Sequence, residues 1–391
     1  MPKKKGKRSN KRKRGDNEKR EVENYEQKLK SSDKEVSEIS INSILHDELL
    51  EQILVYLPTA SIIRARLVCK KWREITSSTR FLWNASQTVS QKPWFFKFIA
   101  SGNKSNRYVY DPVFQKWQGR DFLDMIESYM FCDSSDGVVC YMKDNAIHVC
   151  NPITREHKML QEAPRLIEGG SNFLINISVN LRAHKYNVSL LRCGFSGELS
   201  VQIYDSETMK WATSHTEILT GWKIRYKKSV ICNRVLYFLM DRPTDDDSHE
   251  HRLLAYDFSG NSSTHGTLLN SFIPLPCSNI CCLINLKGKL IIVAAIGSGR
   301  PWYLNNGFII WLLKGKDWQE ISRVTRTCFY GKDQLFGLSY SGADDLIYIH
   351  ADYDPRLVVF DLNLKQWKDC EKCPRKDVLK GFCLLPRLIS P

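Results

Sequence analysis

Cys370 and Cys373 have the spacing of a metal site, because a Cys-x2-Cys pair supplies half of a structural zinc centre. Such a centre needs four ligands, and no second Cys or His pair follows. Pro374, directly after the pair, favours a turn instead. Cys281 and Cys282 lie in a predicted strand, where neighbouring side chains point to opposite faces. The cysteines therefore predict no metal site.

Residues 241–251 form an acidic segment with two histidines that could bind a cation, although a solvated loop is the favoured interpretation. The sequence has no glycine-rich phosphate loop, no serine nucleophile elbow and no His-Glu-x-x-His motif. We therefore expect no catalytic group, no metal and no cofactor, and the elements that could present a binding surface become the main interest.

Thirteen cysteines are scattered without a framework, and no apolar signal segment precedes them. This usage predicts reduced thiols in the cytosol or nucleus. The longest apolar stretch, residues 290–296, is far shorter than the ~20 residues of a membrane-spanning helix, so no membrane partner is expected.

Positive charge is concentrated at the amino terminus. The net charge is +14, and residues 1–20 hold eleven Lys or Arg against two acidic residues. Residues 1–40 contain few apolar side chains, which predicts a disordered tail. The basic cluster resembles a nuclear localisation signal. The alternatives are a solvated tail and a nucleic-acid-binding arm. No aromatic residues for base stacking lie beside the lysines, which disfavours recognition of single-stranded nucleic acid. Its members are Lys3, Lys4, Lys5, Lys7, Arg8, Lys11, Arg12, Lys13 and Arg14.

Residues 44–83 carry more apolar surface than so short a segment can bury by itself. In the first predicted helix, the apolar residues between Leu49 and Leu57 cover an arc of roughly 160°, wider than the ~100° stripe that one core needs. One side of this arc should pack internally and the other should meet a partner. Leu57-Pro58 ends the helix, and further helices are predicted over residues 62–68 and 70–77. The segment is predicted to be a three-helix module that binds a partner.

The module resembles an F-box, the docking domain of substrate receptors in SCF-type cullin-RING ubiquitin ligases. The resemblance lies in Glu48-Leu49-Leu50, in Leu57-Pro58 and in the segment Val68-Cys69-Lys70-x-Trp72-Arg73. His46 stands where the family usually has proline, and an ordinary helical hairpin is the alternative. The resemblance implies docking to the Skp-type adaptor, and through it to the cullin and RING subunits. The implied adaptor-binding residues are Leu45, Leu49, Leu50, Ile53, Leu54, Leu57, Pro58, Ile63, Val68, Cys69 and Trp72. Cys69 is expected to be packed rather than to carry ubiquitin.

A repeat begins after residue 93. An Asp-x5-Trp frame starts at Asp111, Asp205 and Asp361, and Asn151 begins a copy with His in place of Trp. Partial copies at 257 and 312 complete six anchors, spaced by 40, 54, 52, 55 and 49 residues. A period near fifty is typical of four-stranded propeller blades, so six blades are predicted.

Each copy of the repeat predicts a hairpin in which Asp or Asn bonds the turn and the return strand carries tryptophan. Four strands upstream of the hairpins, over residues 137–142, 235–240, 290–295 and 346–350, are predicted to be the inner members of their blades. Residues 94–99 should start the first blade, and residues 381–388 should close the ring beside it.

From about residue 40 onward the chain resembles the plant F-box/kelch-repeat proteins, and several segments, among them SQKPWFFKF and YDPVFQKW, are similar to one member of that group. Kelch repeats carry paired glycines after a buried strand, and this chain has Ala294-Ala295 there, so the blade count depends on the Asp-x5-Trp frame. The predicted domains are a basic tail (1–40), an F-box (41–84), a linker (85–92) and a kelch-like β-propeller (93–391), an α+β multidomain architecture.

The resemblance implies a substrate-recognition subunit whose propeller captures a target protein for ubiquitination. One alternative is a propeller enzyme, which would need titratable groups that converge at the ring axis, and the sequence suggests no such group of residues. The other alternative is a scaffold without adaptor binding. Aromatic and arginine side chains in inter-strand segments are candidate target-binding residues, with blade packing as the alternative. They are Trp222, Arg225, Tyr226, Trp302, Tyr303, Phe329 and Tyr330.

Overall fold

The structure is a computed structural model. It describes residues 45–88, 91–99, 107–119, 130–161, 172–194, 197–224, 229–243, 249–258, 281–296, 307–325, 338–351, 354–374, 379–389 and 391. The chain separates into two compact units, with the boundary between residues 89 and 90.

The first unit contains four helices within residues 45–88, one more than the sequence predicted. They are α1 (Asp47–Val55), α2 (Thr59–Ala65), α3 (Lys70–Ser77) and α4 (Thr79–Thr88). The prediction missed α4 because Ser78 is extended, with ψ at 142°, and separates it from α3 without a proline or glycine signal. The Ser78 hydroxyl accepts a hydrogen bond from the Phe81 backbone N–H at 3.2 Å, which satisfies a free donor at the start of α4.

The helices pack around a small apolar interior. Leu50, Leu54, Ile62 and Phe81 are almost fully buried there. Ion pairs join the first helix to the later ones: Lys71 Nζ lies 2.6 Å from the Asp47 carboxylate, and Arg80 pairs with Glu51. Burial of one side of α1 therefore fixes which of its apolar residues remain on the surface.

The described residues of the second unit form six antiparallel sheets, which confirms the predicted six-bladed propeller. In chain order, the first three sheets contain β1 (Trp94–Ile99), β2 (Arg107–Asp111) and β3 (Lys116–Gly119); β4 (Met130–Ser135), β5 (Val138–Lys143), β6 (Ala146–Asn151) and β7 (Glu156–Met159); and β8 (Asn172–Asn180), β9 (Lys185–Cys193), β10 (Glu198–Asp205) and β11 (Lys210–Ile218).

The next three sheets contain β12 (Ser229–Cys232), β13 (Val235–Pro243) and β14 (His249–Asp257); β15 (Cys281–Leu286), β16 (Lys289–Ala295), β17 (Phe308–Lys314) and β18 (Asp317–Val324); and β19 (Leu338–Ala343), β20 (Leu346–Ala351), β21 (Val358–Asp361) and β22 (Gln366–Asp369). The last strand, β23 (Leu379–Leu384), joins the sheet of β1. We number the blades I to VI in chain order, with β23 in blade I.

Strand β23 closes the ring as predicted, because it pairs antiparallel with β1 from Trp94↔Leu384 to Ile99↔Leu379. The first strands of the six blades are β23, β4, β8, β12, β15 and β19, and each contacts the first strand of the next blade around a complete circle. These strands therefore line the axis. The strands β5, β13, β16 and β20, which were predicted to be inner members of their blades, are second in their sheets, inside the strands that carry the repeat anchors. The axial position belongs to the first strands, one of which, β4, contains the polar residues Asp133 and Ser135.

The Asp-x5-Trp frame encodes one hairpin geometry. The Asp111 carboxylate accepts a hydrogen bond from the Val113 backbone N–H at 2.9 Å, and the Asp361 carboxylate accepts one from Asn363 N–H at 2.9 Å. The residue four positions after the anchors at 111, 151, 205 and 361 has a positive φ, as in Gln115 at 55°. A turn of this kind followed by a left-handed residue returns the chain antiparallel to itself. The other left-handed residues at this position are Arg155, Met209 and Lys365.

The tryptophan of the frame lies directly opposite the aromatic residue that precedes the anchor. Tyr110 pairs with Trp117 and Tyr204 with Trp211, each with ring centroids 5.4 Å apart. Such cross-strand aromatic pairs stabilise a hairpin beyond the area they bury. The frame is thus a combination of a turn signal and a cross-strand pair, and it does not depend on paired glycines.

Blade II has Cys150 opposite His157 at the position of this aromatic pair, and His157 stacks instead on His148 at 5.0 Å. His148 is buried and stacks on Tyr141 at 5.2 Å, and its Nδ1 shares a hydrogen bond with Nε2 of His157 at 2.9 Å. Burial, with smaller contributions from His157 and Lys143, lowers the pKa of His148 from its ordinary value of 6.5.

The lowered pKa of His148 should make the stability of the protein depend on pH. Because the unfolded chain binds the His148 proton more readily than the folded chain, stability is lost as the pH falls through the ordinary pKa. We expect His148→Phe, which retains a ring on Tyr141, to lose less thermal stability than the wild type between about pH 7.5 and about pH 5.5. Parallel decreases in Tm for the two proteins would contradict this expectation.

Candidate functional site

An apolar surface lies on the helical unit. Five large apolar side chains of α1 and of the segment after α2 are about half exposed or more. They are Leu49 (49%), Ile53 (54%), Tyr56 (67%), Leu67 (77%) and Val68 (62%). We call this set the F-box face. Leu49, Ile53 and Tyr56 represent the side of the apolar arc that does not pack internally, and exposed apolar side chains of this kind are a feature of surfaces that bind a partner.

The structure divides the residues that the sequence assigned to adaptor binding into three groups. Leu49, Ile53 and Val68 are on the F-box face. Leu50 and Leu54 are only 2% and 1% exposed, so their side chains hold the helices together and are not accessible to a partner in this structure. The remaining six are half-buried: Leu45, Leu57, Pro58, Ile63, Cys69 and Trp72.

Leu67 was absent from the sequence-based assignment, and Tyr56 was counted in the arc but not among the binding residues. A signal existed for Leu67, because it continues an apolar run with Val68 directly after α2. Cys69 caps the following helix, since its Sγ accepts a hydrogen bond from the Trp72 backbone N–H at 3.5 Å. The Cys69 thiol therefore stabilises the start of α3, in agreement with the expectation that it is packed in the module.

Trp222, a predicted target-binding residue, is only 7% exposed and belongs to the core between blades III and IV. The guanidinium carbons of Arg242 and Arg252 lie 5.1 Å and 4.5 Å from its ring centroid, and Glu250 pairs with both arginines. These contacts favour the blade-packing alternative for Trp222. The other six predicted target-binding residues lie outside the described residues, as do the basic residues of the amino terminus.

A cavity of about 370 Å³ occupies the propeller axis and is lined by the first strands of all six blades. Three carboxylates and two cations contribute to its lining. They are Asp133 and Asp136 from blade II, Lys287 from blade V, Asp344 from blade VI, and Arg387 from the segment after β23. The structure thus brings together titratable groups that the sequence gave no reason to combine, and it corrects the expectation that none converge at the axis.

Polar side chains along the axis connect neighbouring blades. The Asp133 carboxylate accepts a hydrogen bond from the Ile177 backbone N–H at 3.2 Å, and Asn285 donates to the Ile231 carbonyl at 2.9 Å. Arg387 Nε lies 3.4 Å from Asp136 Oδ1. Since the first strands have no further sheet neighbour, these bonds satisfy backbone groups that face the axis.

Three of the axial charges, Asp136, Lys287 and Asp344, sit in the turns between the first and second strands of their blades, whereas Asp133 lies on β4 and Arg387 follows β23. Two-residue turns with positive φ occur at Asp136-Gly137, Asn233-Arg234 and Lys287-Gly288. Asn233 Nδ2 donates to the Gly288 carbonyl at 2.8 Å and Lys287 Nζ lies 2.9 Å from Asp344 Oδ1, so the turns of neighbouring blades meet at one end of the ring, which we call the turn face. Asp-Gly or Lys-Gly directly before a predicted strand was the signal that could have located these groups.

The cysteines and the acidic segment show no metal-binding arrangement in the described part of the chain. No group of three or more His, Cys, Asp or Glu residues there is placed to hold a metal ion. Burial raises the pKa of Cys370 to about 11, and Cys373 is buried in the same blade.

Among the described helices, none is both long and apolar enough to span a membrane.

Two families match the chain. The F-box-like family matches residues 47–85, and the F-box associated beta propeller domain matches residues 113–287. The second match agrees with the absence of paired kelch glycines.

Three relatives, all from Arabidopsis thaliana, match over much of the chain. An F-box/kelch-repeat protein is 41% identical over 95% of each chain. F-box only protein 6 is 23% identical over 83% of this chain and 68% of that protein. The protein UNUSUAL FLORAL ORGANS is 21% identical over 89% of this chain and 86% of that protein. The high coverage of the first relative includes both the helical unit and the propeller.

Proposed function

Because the chain belongs to the F-box/kelch-repeat proteins, we propose that it is the substrate-recognition subunit of an SCF-type cullin-RING ubiquitin ligase. The F-box face docks on the Skp-type adaptor, which links the chain to the cullin and RING subunits. The propeller holds a target protein, so that a ubiquitin-charged conjugating enzyme bound elsewhere in the complex reaches lysines of the target.

The observation that carries this proposal is the F-box face. Large apolar side chains that stay about half exposed cost free energy in water, and a partner that covers them recovers roughly 25 cal/mol per Å². Leu49, Ile53 and, just after α1, Tyr56 lie on one edge of the apolar arc, and the buried Leu50 and Leu54 lie on the adjacent edge. The exposed edge is therefore available for docking while the buried edge maintains the fold.

The chain contributes tethering rather than chemistry in this proposal. Holding the target near the conjugating enzyme replaces an encounter in solution by one at high effective concentration. A propeller enzyme is the alternative, and the axial charges are its only support in the described residues. These charges are paired, Asp136 with Arg387 and Lys287 with Asp344 and Asp345, which favours a structural or binding role over catalysis.

Co-purification tests the proposal. The full chain is expressed with a plant Skp-type adaptor and cullin, and capture of both by the chain is the expected result. Failure of the folded wild-type chain to capture the adaptor would contradict the proposal.

We also propose that the chain is imported into the nucleus through its basic residues between Lys3 and Arg14. A fluorescent fusion of the full chain should accumulate in nuclei, and replacement of residues 11–14 by alanine should redistribute it. An unchanged distribution would exclude this signal.

Within the family, we propose that the chain is a homologue of the protein called HAWAIIAN SKIRT, on the similarity of segments such as SQKPWFFKF and YDPVFQKW. Expression of this chain in a plant that lacks HAWAIIAN SKIRT should restore the normal phenotype, and failure to do so with a stably expressed chain would contradict the homology of function.

A further inference from the structure

The axial cavity contains buried acceptors that no described residue satisfies. The Asp344 side chain is only 10% exposed; its Oδ1 accepts a hydrogen bond from Lys287 Nζ at 2.9 Å, but its buried Oδ2 has no hydrogen-bond partner among the described residues. Ser341 Oγ, on β19 just before the turn that holds Asp344, is in the same lining and is also buried without a described partner. An unsatisfied buried polar atom costs about 1–3 kcal/mol and is therefore a place where a donor from outside would bind.

The electrostatics of the cavity favour a positively charged donor. Asp136 extends from the turn of blade II; burial raises its pKa, Arg387 and Ser135 oppose this effect, and the neighbouring Asp344 raises it further. Asp344 and Asp136 line the same cavity, so their negative charges repel each other. With Asp133, three carboxylates line the cavity against Lys287 and Arg387, and Lys287 is shared with Asp345 outside the lining. Carboxylates therefore outnumber cations in the lining by three to two.

The shape and ligand count favour a multi-donor group over a metal ion. In the described chain no three His, Cys, Asp or Glu residues converge closely enough to hold a cation between them. The cavity volume of about 370 Å³ is near the lower limit of about 300 Å³ for ligand pockets, so it accommodates a side chain rather than a folded segment. A guanidinium carries five donors and no acceptor in a planar arrangement, which suits acceptors that are separated from one another.

We propose that the axial cavity binds the arginine side chain of a target protein that approaches the turn face of the propeller. The guanidinium donates to Asp344 Oδ2 and Ser341 Oγ and is balanced by the excess carboxylate charge. This inference rests on the proposed function, which makes the propeller the target-binding part of the chain, and it names the chemistry that the target must present.

Ligand-observed NMR on the full chain tests the proposal with small probes. The probes are the Nα-acetyl methylamides of L-arginine, L-citrulline and L-lysine, with calcium chloride as a separate arm. Citrulline has nearly the shape of arginine without the charge. We expect millimolar binding of the arginine probe and affinity at least about tenfold lower for citrulline, because a charge-assisted hydrogen bond is roughly twice as strong as a neutral one.

Variants connect this binding to the cavity. Asp344→Asn and Ser341→Ala should each weaken the arginine probe, the first by at least about tenfold. Ser341→Ala removes a hydroxyl with no described partner, so it should not reduce stability, and it keeps the test valid if Asp344→Asn unfolds. Asp317→Asn, which removes an exposed carboxylate from the β17–β18 hairpin, is the matched control and should bind as the wild type does.

Several outcomes would overturn the proposal: no binding of the arginine probe at millimolar concentration, equal binding of arginine and citrulline, equal binding of arginine and lysine, or calcium binding without arginine binding. Unchanged arginine binding by folded Asp344→Asn and Ser341→Ala would also overturn it. None of these measurements involves the adaptor, so failure here is distinguishable from failure of the co-purification.

Discussion

Replacement of Leu49 and Ile53 by aspartate should abolish capture of the Skp-type adaptor and leave the thermal unfolding of the chain unchanged. Both side chains are about half exposed on α1, so the new carboxylates are solvated in the free chain. Docking against an apolar surface would remove that water, and an unpaired carboxylate cannot be buried without a cost of several kcal/mol. Each 1.4 kcal/mol corresponds to about tenfold in affinity, so a loss of at least about a hundredfold is expected.

The matched control adds the same two charges to exposed polar positions of α4, as Asn84→Asp/Gln87→Asp. This control should capture the adaptor as the wild type does. Leu54→Asp provides the contrast: this residue is 1% exposed, so its substitution should unfold the helical unit and lose capture for a different reason. Normal capture by Leu49→Asp/Ile53→Asp would show that the F-box face is not the docking surface.

Gly381→Ala should destabilise the propeller by about 2 kcal/mol or more, since added volume in a packed core forces its neighbours to move. Gly381 lies in β23 opposite Lys97, in the strand pair that closes the ring. A Cβ at this position would lie 2.5 Å from Cζ of Phe95 and 3.0 Å from the Phe96 carbonyl oxygen. Phe95 is fully buried, so its ring has no space into which to move.

Gly119→Ala is the matched control for ring closure, because Gly119 is in the outer strand β3 of the same blade and nothing lies within 4 Å of an added Cβ. Its stability should stay within about 0.5 kcal/mol of the wild type. Denaturant unfolding of both variants measures the difference. Equal stability of the two variants would mean that β23 adjusts without cost and that closure tolerates a wider strand spacing.

The local features of this protein were readable from its sequence. The Asp-x5-Trp frame predicted the six blades because a turn-bonding Asp and a cross-strand Trp act within a few residues of each other. The closing strand and the α1 to α3 helices were also recognisable, since apolar periodicity and Leu57-Pro58 are local signals. The family resemblance of the F-box depends on equally short motifs, which the family match over residues 47–85 supports.

Only the tertiary structure decided which side of each element faces inward. The sequence could not separate Leu49 from Leu50, because both are leucines of one wide apolar arc and the choice depends on how α1 packs against the later helices. It could not place Asp136 near Asp344 either, because they are 208 positions apart in the chain and meet only when six blades close around the axis. Burial and convergence are properties of long-range packing, and the docking face and the axial cavity both arise from them.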